Sequence, residues 1–209
     1  MEYKEHERST TRATASSTNE FYAEHADEYF DRTVDANLEH LYQRFLPLLP
    51  ADAQILDAGC GSGRDMKAFK ERGYRPYGID ASPDLVRLAH KFSGVECEVK
   101  RLQDVDWDAE FDGVWACASL LHLPKRELPL VLSYLRKALR TGGALFATVQ
   151  SGVGERLAPD GRFFADYMSE EFLLSVRLAG FNVVEAWQSE DALPNRRSVG
   201  WVNVTARAA

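Results

Sequence analysis

The run Gln54-Ile55-Leu56-Asp57-Ala58-Gly59-Cys60-Gly61-Ser62-Gly63-Arg64-Asp65 constrains this chain more than any other stretch. A short apolar segment ends in an acid, opens at once into alternating glycines, and gives way to an amphipathic pattern. That order predicts a strand, a tight turn and the start of a helix. Glycine at the turn permits positive φ and lets a ligand approach the main chain where a Cβ would block it. The spacing is G-x-G-x-G. Arg64 and Met66 stand where a dinucleotide-binding turn needs a later glycine, and the Gly-Lys-Ser/Thr ending of a phosphate-cradling loop is missing. Both a nicotinamide cofactor and a nucleoside triphosphate are disfavoured.

A second acid stands where a nucleoside-binding fold would use it. Tyr77-Gly78-Ile79-Asp80 predicts another short strand ending in a carboxylate. It lies about twenty residues beyond the glycine turn, the interval at which an acid accepts hydrogen bonds from a ribose diol. Turn and spaced acid together, within one strand–helix–strand unit, carry far more weight than the turn alone.

These residues resemble a family. Asp57-Ala58-Gly59-Cys60-Gly61-Ser62-Gly63, Gly78-Ile79-Asp80 and Phe111-Asp112-Gly113-Val114-Trp115-Ala116 are similar to the first, second and fourth motifs of class I S-adenosylmethionine-dependent methyltransferases. Gln103-Asp104 resembles their third. The likeness runs from about Leu38 to Ala206. Within the class, the Gly-Ser-Gly-Arg-Asp continuation resembles the compact bacterial branch that includes tellurite- and thiol-detoxifying enzymes.

With 209 residues, the length prior gives one domain with room for a substantial core. A net charge of −7 is a poor electrostatic footprint for duplex nucleic acid. The three cysteines, Cys60, Cys97 and Cys117, form no C-x-x-C pair, so neither a disulfide framework nor a zinc site is indicated. Met1 to Asn19 lacks the apolar core of a secretory signal, and no run is long enough to span a bilayer. The expectation is a cytoplasmic protein, monomer or homodimer, with no membrane partner.

Residues 1–18 offer little to bury and are expected to form a disordered tail before a single domain over 19–209. Within it, residues 19–50 read as a helical lid, 51–150 as the cofactor-binding half, and 151–209 as substrate loops and a C-terminal hairpin. Thr18 or Asn19 is expected to cap an aromatic-rich helix, and Leu38, Leu41, Tyr42 and Phe45 mark one apolar helix face. Helices are predicted after the glycine turn, from Ser82-Pro83-Asp84, from Pro124 to Thr141-Gly142-Gly143, and from Ser169 to Gly180. Strands are predicted at 54–57, 75–80, 95–99, 111–116, 144–149, 181–187 and 201–206. Alternation of the two predicts an α/β, doubly wound, mostly parallel sheet with ligands at the carboxyl ends of its strands. The last two strands lack an intervening helix and should pair antiparallel. The resemblance implies the same: seven strands, the final one reversed, with helices on both faces.

The resemblance assigns S-adenosylmethionine as cofactor, leaving S-adenosylhomocysteine as product. Gly59, Gly61 and Asp57 suit its amino-acid end, and Asp65 could reinforce ammonium binding or simply favour a helix N-terminus. Asp80 suits the ribose and Ala81 the adenine. Gln103 and Asp104 would meet the adenine edge, although Asp104 also reads as part of a solvated acidic run. Ala116 and Cys117 would offer backbone groups to the methionine end. Tyr22, Tyr29 and Thr33 either form a lid or clamp the N-terminal segment to the sheet.

The acceptor is harder to read, because methyl transfer is largely a matter of positioning and needs a base only if the acceptor arrives protonated. His122 is the candidate base. It matches the second of two histidines frequent at that point, Leu121 replacing the first. The Asn-Pro-Pro-Tyr form used on nucleobase amines is absent, Ala116-Cys117-Ala118-Ser119 standing instead. Gln150, Arg196 and Arg197, in two loops over the expected pocket, are substrate candidates, the arginines for an anionic group. The expected activity is methyl transfer to O, N, S or a chalcogen of a small molecule. An RNA methyltransferase and a non-catalytic S-adenosylmethionine-binding module are the alternatives.

Overall fold

The computed structural model describes residues 17–193, 196 and 198–209. Residues 1–16 of the expected tail, and Arg197, lie outside the described residues. Residues 17–24 are helical (α1), and a break at His25 separates them from α2, Ala26–Thr33. One helix was expected here. Thr18 sits inside it rather than capping it, and its hydroxyl accepts from the Phe163 N–H at 2.9 Å. After α3 (Glu39–Phe45), the chain alternates β1 (Gln54–Ala58), α4 (Arg64–Glu71), β2 (Arg75–Asp80), α5 (Pro83–Ser93), β3 (Cys97–Val99), β4 (Phe111–Cys117), α6 (Leu128–Ala138) and β5 (Leu139–Gln150). A small hairpin follows, β6 (Gly154–Leu157) with β7 (Phe163–Asp166). Then come α7 (Ser169–Leu178), β8 (Phe181–Glu190) and β9 (Gly200–Ala208).

The main sheet has seven strands in the order β3-β2-β1-β4-β5-β9-β8. Only β9 runs against the rest, pairing antiparallel with both β5 and β8. The strand order reverses between β1 and β4, and at such a switch point the loops part to leave a crevice. The expected architecture is therefore observed, with boundary corrections that have local causes. The sixth helix begins at Leu128, not Pro124, so Pro129 occupies its first turn, where a missing N–H costs little. Thr141-Gly142-Gly143 does not end a helix. It lies in β5, which starts early because Leu139 already pairs with Phe111 before a register shift. The segment 150–166, expected to be a loop, is largely the β6–β7 hairpin.

The two sheet faces differ. One packs Leu56, Val114, Leu145, Val149, Val202 and Val204 against α6 and α7. The other stacks Trp115 on Phe146, ring centroids 4.0 Å apart, and closes over them with Phe45, Phe69 and Tyr42. Both stacked rings are fully buried. Truncating Phe146 to Ala is expected to cost about 3–5 kcal/mol, the range for large aromatic deletions in a closed core, as measured by urea unfolding.

Candidate active site

The glycine turn is built by backbone geometry. Gly59, Gly61 and Gly63 have φ of 96°, 51° and 77°, a left-handed region that other residues enter only with strain. Space is equally restrictive. A Cβ on Gly59 would stand 2.4 Å from the Ser119 Cβ, and one on Gly61 would press on the Tyr29 ring at 3.3 Å. Asp80, at the end of β2, fixes the turn by accepting from the Gly61 N–H (3.0 Å) and the Ser82 N–H (2.9 Å). Burial raises its pKa, partly offset by those amide donors.

Gly59, Gly61, Asp80, Ala81, Gln103 and Cys117 line a cavity of about 960 Å³ at the switch point. Tyr22 and Tyr29 close it from α1 and α2. A second cavity, about 130 Å³, lies across a shared wall made by Tyr22, Tyr29, Cys117, Ala118 and His122. Thr33, Gln150 and Arg196 line this smaller one. Arg196 there faces Asp191, with 3.5 Å between Nε and Oδ2. Gln150 accepts from Arg156 at 2.7 Å.

Four other candidates are not on either wall. Asp57 is buried, its Oδ2 has no hydrogen-bond partner among the described residues, and burial drives its pKa up. Ala116 is buried within β4. Asp104 is turned outward, held by Arg101 through two bonds of 2.7 and 2.8 Å. Asp65 departs most from expectation. Its carboxylate accepts from Arg64 (2.7 and 2.9 Å), the Tyr42 hydroxyl (2.5 Å) and the Trp115 indole (2.9 Å). Four donors saturate it, leaving nothing for a ligand ammonium. Burial would raise its pKa, but Arg64 and the hydrogen bonds outweigh burial and hold it below the carboxylate range.

His122 joins the two cavities. Its Nδ1 is 2.8 Å from the Phe163 carbonyl, which can only accept, so Nδ1 carries the proton. Nε2 then accepts from the Tyr22 hydroxyl at 3.0 Å. Burial pushes the ring down to about 4, although the Phe163 contact works the other way. His122 is a neutral hydrogen-bond acceptor fastening α1. Sequence reading passed over Thr148, Asn203, Trp201 and Phe164, all on the smaller wall. The signal was there in Thr148-Val149-Gln150 and Trp201-Val202-Asn203, where residues of polar character alternate with valine along strands.

A sequence profile described as a methyltransferase domain matches residues 55–143. The chain is similar to a ubiquinone biosynthesis O-methyltransferase from Xanthomonas axonopodis pv. citri, 27% identical over 74% of this chain and 76% of that one. It is also similar to a malonyl-[acyl-carrier protein] O-methyltransferase from Erwinia pyrifoliae, 28% identical over 73% of this chain and 62% of that one. Among solved structures, the Burkholderia thailandensis 1,6-didemethyltoxoflavin-N1-methyltransferase superposes with a TM-score of 0.75, covering 98% of this chain and 90% of that one at 24% identity. That structure holds S-adenosylhomocysteine. The profile match and these relatives support a methyltransferase, and the seven-stranded sheet is the fold of the toxoflavin-type neighbour. Among the described residues, no helix is long and apolar enough to cross a membrane.

Asp65 supports the fold rather than the ligand, and this is measurable. Replacing Asp65 with Ala strands the Arg64 guanidinium and is expected to cost about 3–5 kcal/mol in denaturant unfolding. A carboxylate held below its unfolded pKa stabilises above that value and loses the contribution as pH falls through the folded one. The advantage of the native protein over Asp65→Asn should therefore hold steady above about pH 5 and shrink as the pH falls below about 4.

Proposed function

We propose that the larger cavity takes the methyl donor, the smaller takes a small-molecule acceptor, and the methyl group crosses their shared wall. The single observation that carries this reading is the pair of cavities meeting at Tyr22, Tyr29, Cys117, Ala118 and His122. The residues on the larger wall fit S-adenosylmethionine. Gly59 and Gly61 leave the main chain open to its amino-acid end. Asp80 presents its carboxylate toward the ribose, and Ala81 and Gln103 flank space for the adenine. A volume of about 960 Å³ suffices for a ligand of that size. When bound, the donor supplies a methyl carbon on a cationic sulfur, and the electron pair of the breaking C–S bond leaves with the sulfur.

The chain's own contribution is positioning. Tyr22 and Tyr29 close the donor site and exclude water, and Gly61 permits that closure because Tyr29 rests against it. His122, fixed as the Nδ1–H tautomer, holds Tyr22 in place and is too weakly basic to act as the principal proton acceptor at neutral pH. Alignment across a narrow shared wall, rather than a strong base, is the source of rate.

The detoxifying branch is a second reading, carried by the Gly-Ser-Gly-Arg-Asp run. In this fold Arg64 and Asp65 of that run are spent on each other. The cations Arg156, Arg162 and Arg196 each already face a carboxylate, which disfavours a chalcogen oxyanion. A small organic acceptor, as named for the toxoflavin-type neighbour, is the better reading.

Two measurements test the proposal. Calorimetry should detect S-adenosylmethionine binding to the native protein and a loss of tenfold or more in Asp80→Ala, with no binding by folded native protein counting against it. Once an acceptor is found, kcat/KM should show no inflection from His122 between pH 5.5 and 8, because a group titrating near 4 stays neutral throughout. A fall in rate as pH drops through about 6.5 would instead mark an ordinary histidine base.

A further inference from the structure

The sheet face that is apolar at its base turns polar at its carboxyl end. Side chains two apart on a strand share a face, so Phe146, Thr148 and Gln150 line up along β5. Register extends the row sideways. Thr148 pairs with Cys117 on β4 and Asn203 on β9, and Gln150 pairs with Trp201. Thr148, Gln150, Trp201 and Asn203 all reach the wall of the smaller cavity. Part of this row is already paired within the protein: the Trp201 indole donates to Asp191 at 3.1 Å, and the Asn203 amide donates to the Trp187 carbonyl and the Ser189 hydroxyl at 3.3 and 3.0 Å, which leaves Thr148 and Gln150.

Two details identify what this pair would bind. The Thr148 hydroxyl is buried without a partner among the described residues, an unfavourable condition that a ligand's polar edge would relieve. Gln150 has given its carbonyl oxygen to Arg156, which leaves the amide N–H2 as its free donor among the described residues. The pair can therefore read two adjacent groups on one edge of a ligand, an acceptor for Gln150 and either a donor or an acceptor for Thr148. Charge adds little. Arg64, Arg162 and Arg196 on this wall each face a carboxylate, and the exposed Arg32 and Glu190 are opposite in sign. Volume suits a small ring. At about 130 Å³ the cavity is close to the roughly 150 Å³ that accommodates one benzene ring.

We propose that the methyl acceptor is a neutral, single-ring molecule with adjacent hydrogen-bonding groups on one edge, read by Thr148 and Gln150. The assignment rests on the two-cavity reading above. It also sets Thr148 and Gln150 apart from the donor site, which neither of them lines.

The test is calorimetric titration of the native protein saturated with S-adenosylhomocysteine. The probes are 2-pyridone, uracil and catechol, with fluorobenzene as a ring lacking the edge and 2-naphthol as a fused ring. At least one of the first three is expected to bind tenfold or more tightly than fluorobenzene and 2-naphthol. Its affinity should fall at least tenfold in Thr148→Val and in Gln150→Leu, while S-adenosylhomocysteine affinity stays within twofold. That last readout also shows the variants to be folded. Equal or tighter binding of 2-naphthol, no binding of any edge-bearing ring, or variants that bind the ring as well as the native protein would overturn the assignment while leaving the methyltransferase reading intact. Absence of S-adenosylhomocysteine binding by folded native protein would overturn both.

Discussion

The Asp65 carboxylate ties this structure together. It sits in the first turn of α4, immediately after the glycine turn, and collects donors from three directions: Arg64 beside it, Tyr42 on α3 and Trp115 on β4. Arg64, held by that pair, also donates to the Thr33 carbonyl at 3.1 Å, which reaches the end of α2. One buried charge pair thereby links the glycine turn, the aromatic core and the end of α2. Burying ions is expensive, and such a pair persists only when every lone pair and proton has a partner. Here the partners are supplied by the elements whose relative placement defines the two cavities.

From that anchor the site follows by backbone constraint. Positive φ at alternate glycines turns the chain away from the sheet, and Asp80 catches the turn through the Gly61 amide. Tyr29 can then lie against Gly61, because no side chain intervenes. Helix α1 is held at two points, Thr18 to the Phe163 amide and Tyr22 to His122, so the β6–β7 hairpin and the N-terminal helix close on each other. Arg162, stacked 4.5 Å over Phe21, adds a cation–π contact at the same seam. Two cavities on opposite sides of this seam are a consequence of how the N-terminal helices are fastened.

Much of the fold was legible because it depends on local signals. Gly59 to Gly63, the Ser82-Pro83 helix start and the acids ending β1 and β2 each specify their own geometry, and alternation of strand and helix fixes a parallel sheet. Gly59, Gly61, Asp80, Ala81 and Gln103 come together on one wall for the same reason. Errors arose where long-range pairing overrode local preference. Gly142 and Gly143 look like a helix stop, yet pairing with β4 draws Leu139 and its successors into a strand. The segment 150–166 is polar and glycine-bearing, yet Arg156 and Asp166 pair across it and make a hairpin.

The sequence by itself determined the alternation of strand and helix, the glycine turn and the acid at the end of β2, since each is set by residues close together in the chain. Only the tertiary structure decided that Asp65 is spent on Arg64, that Asp104 faces solvent, and that His122 is a neutral latch rather than a base. It alone decided that Thr148, Gln150 and Asn203 share a small polar chamber. The physical reason is that a carboxylate's availability, a histidine's basicity and a cavity's size are set by which distant groups desolvate or bond them. No spacing along a single chain records those partners.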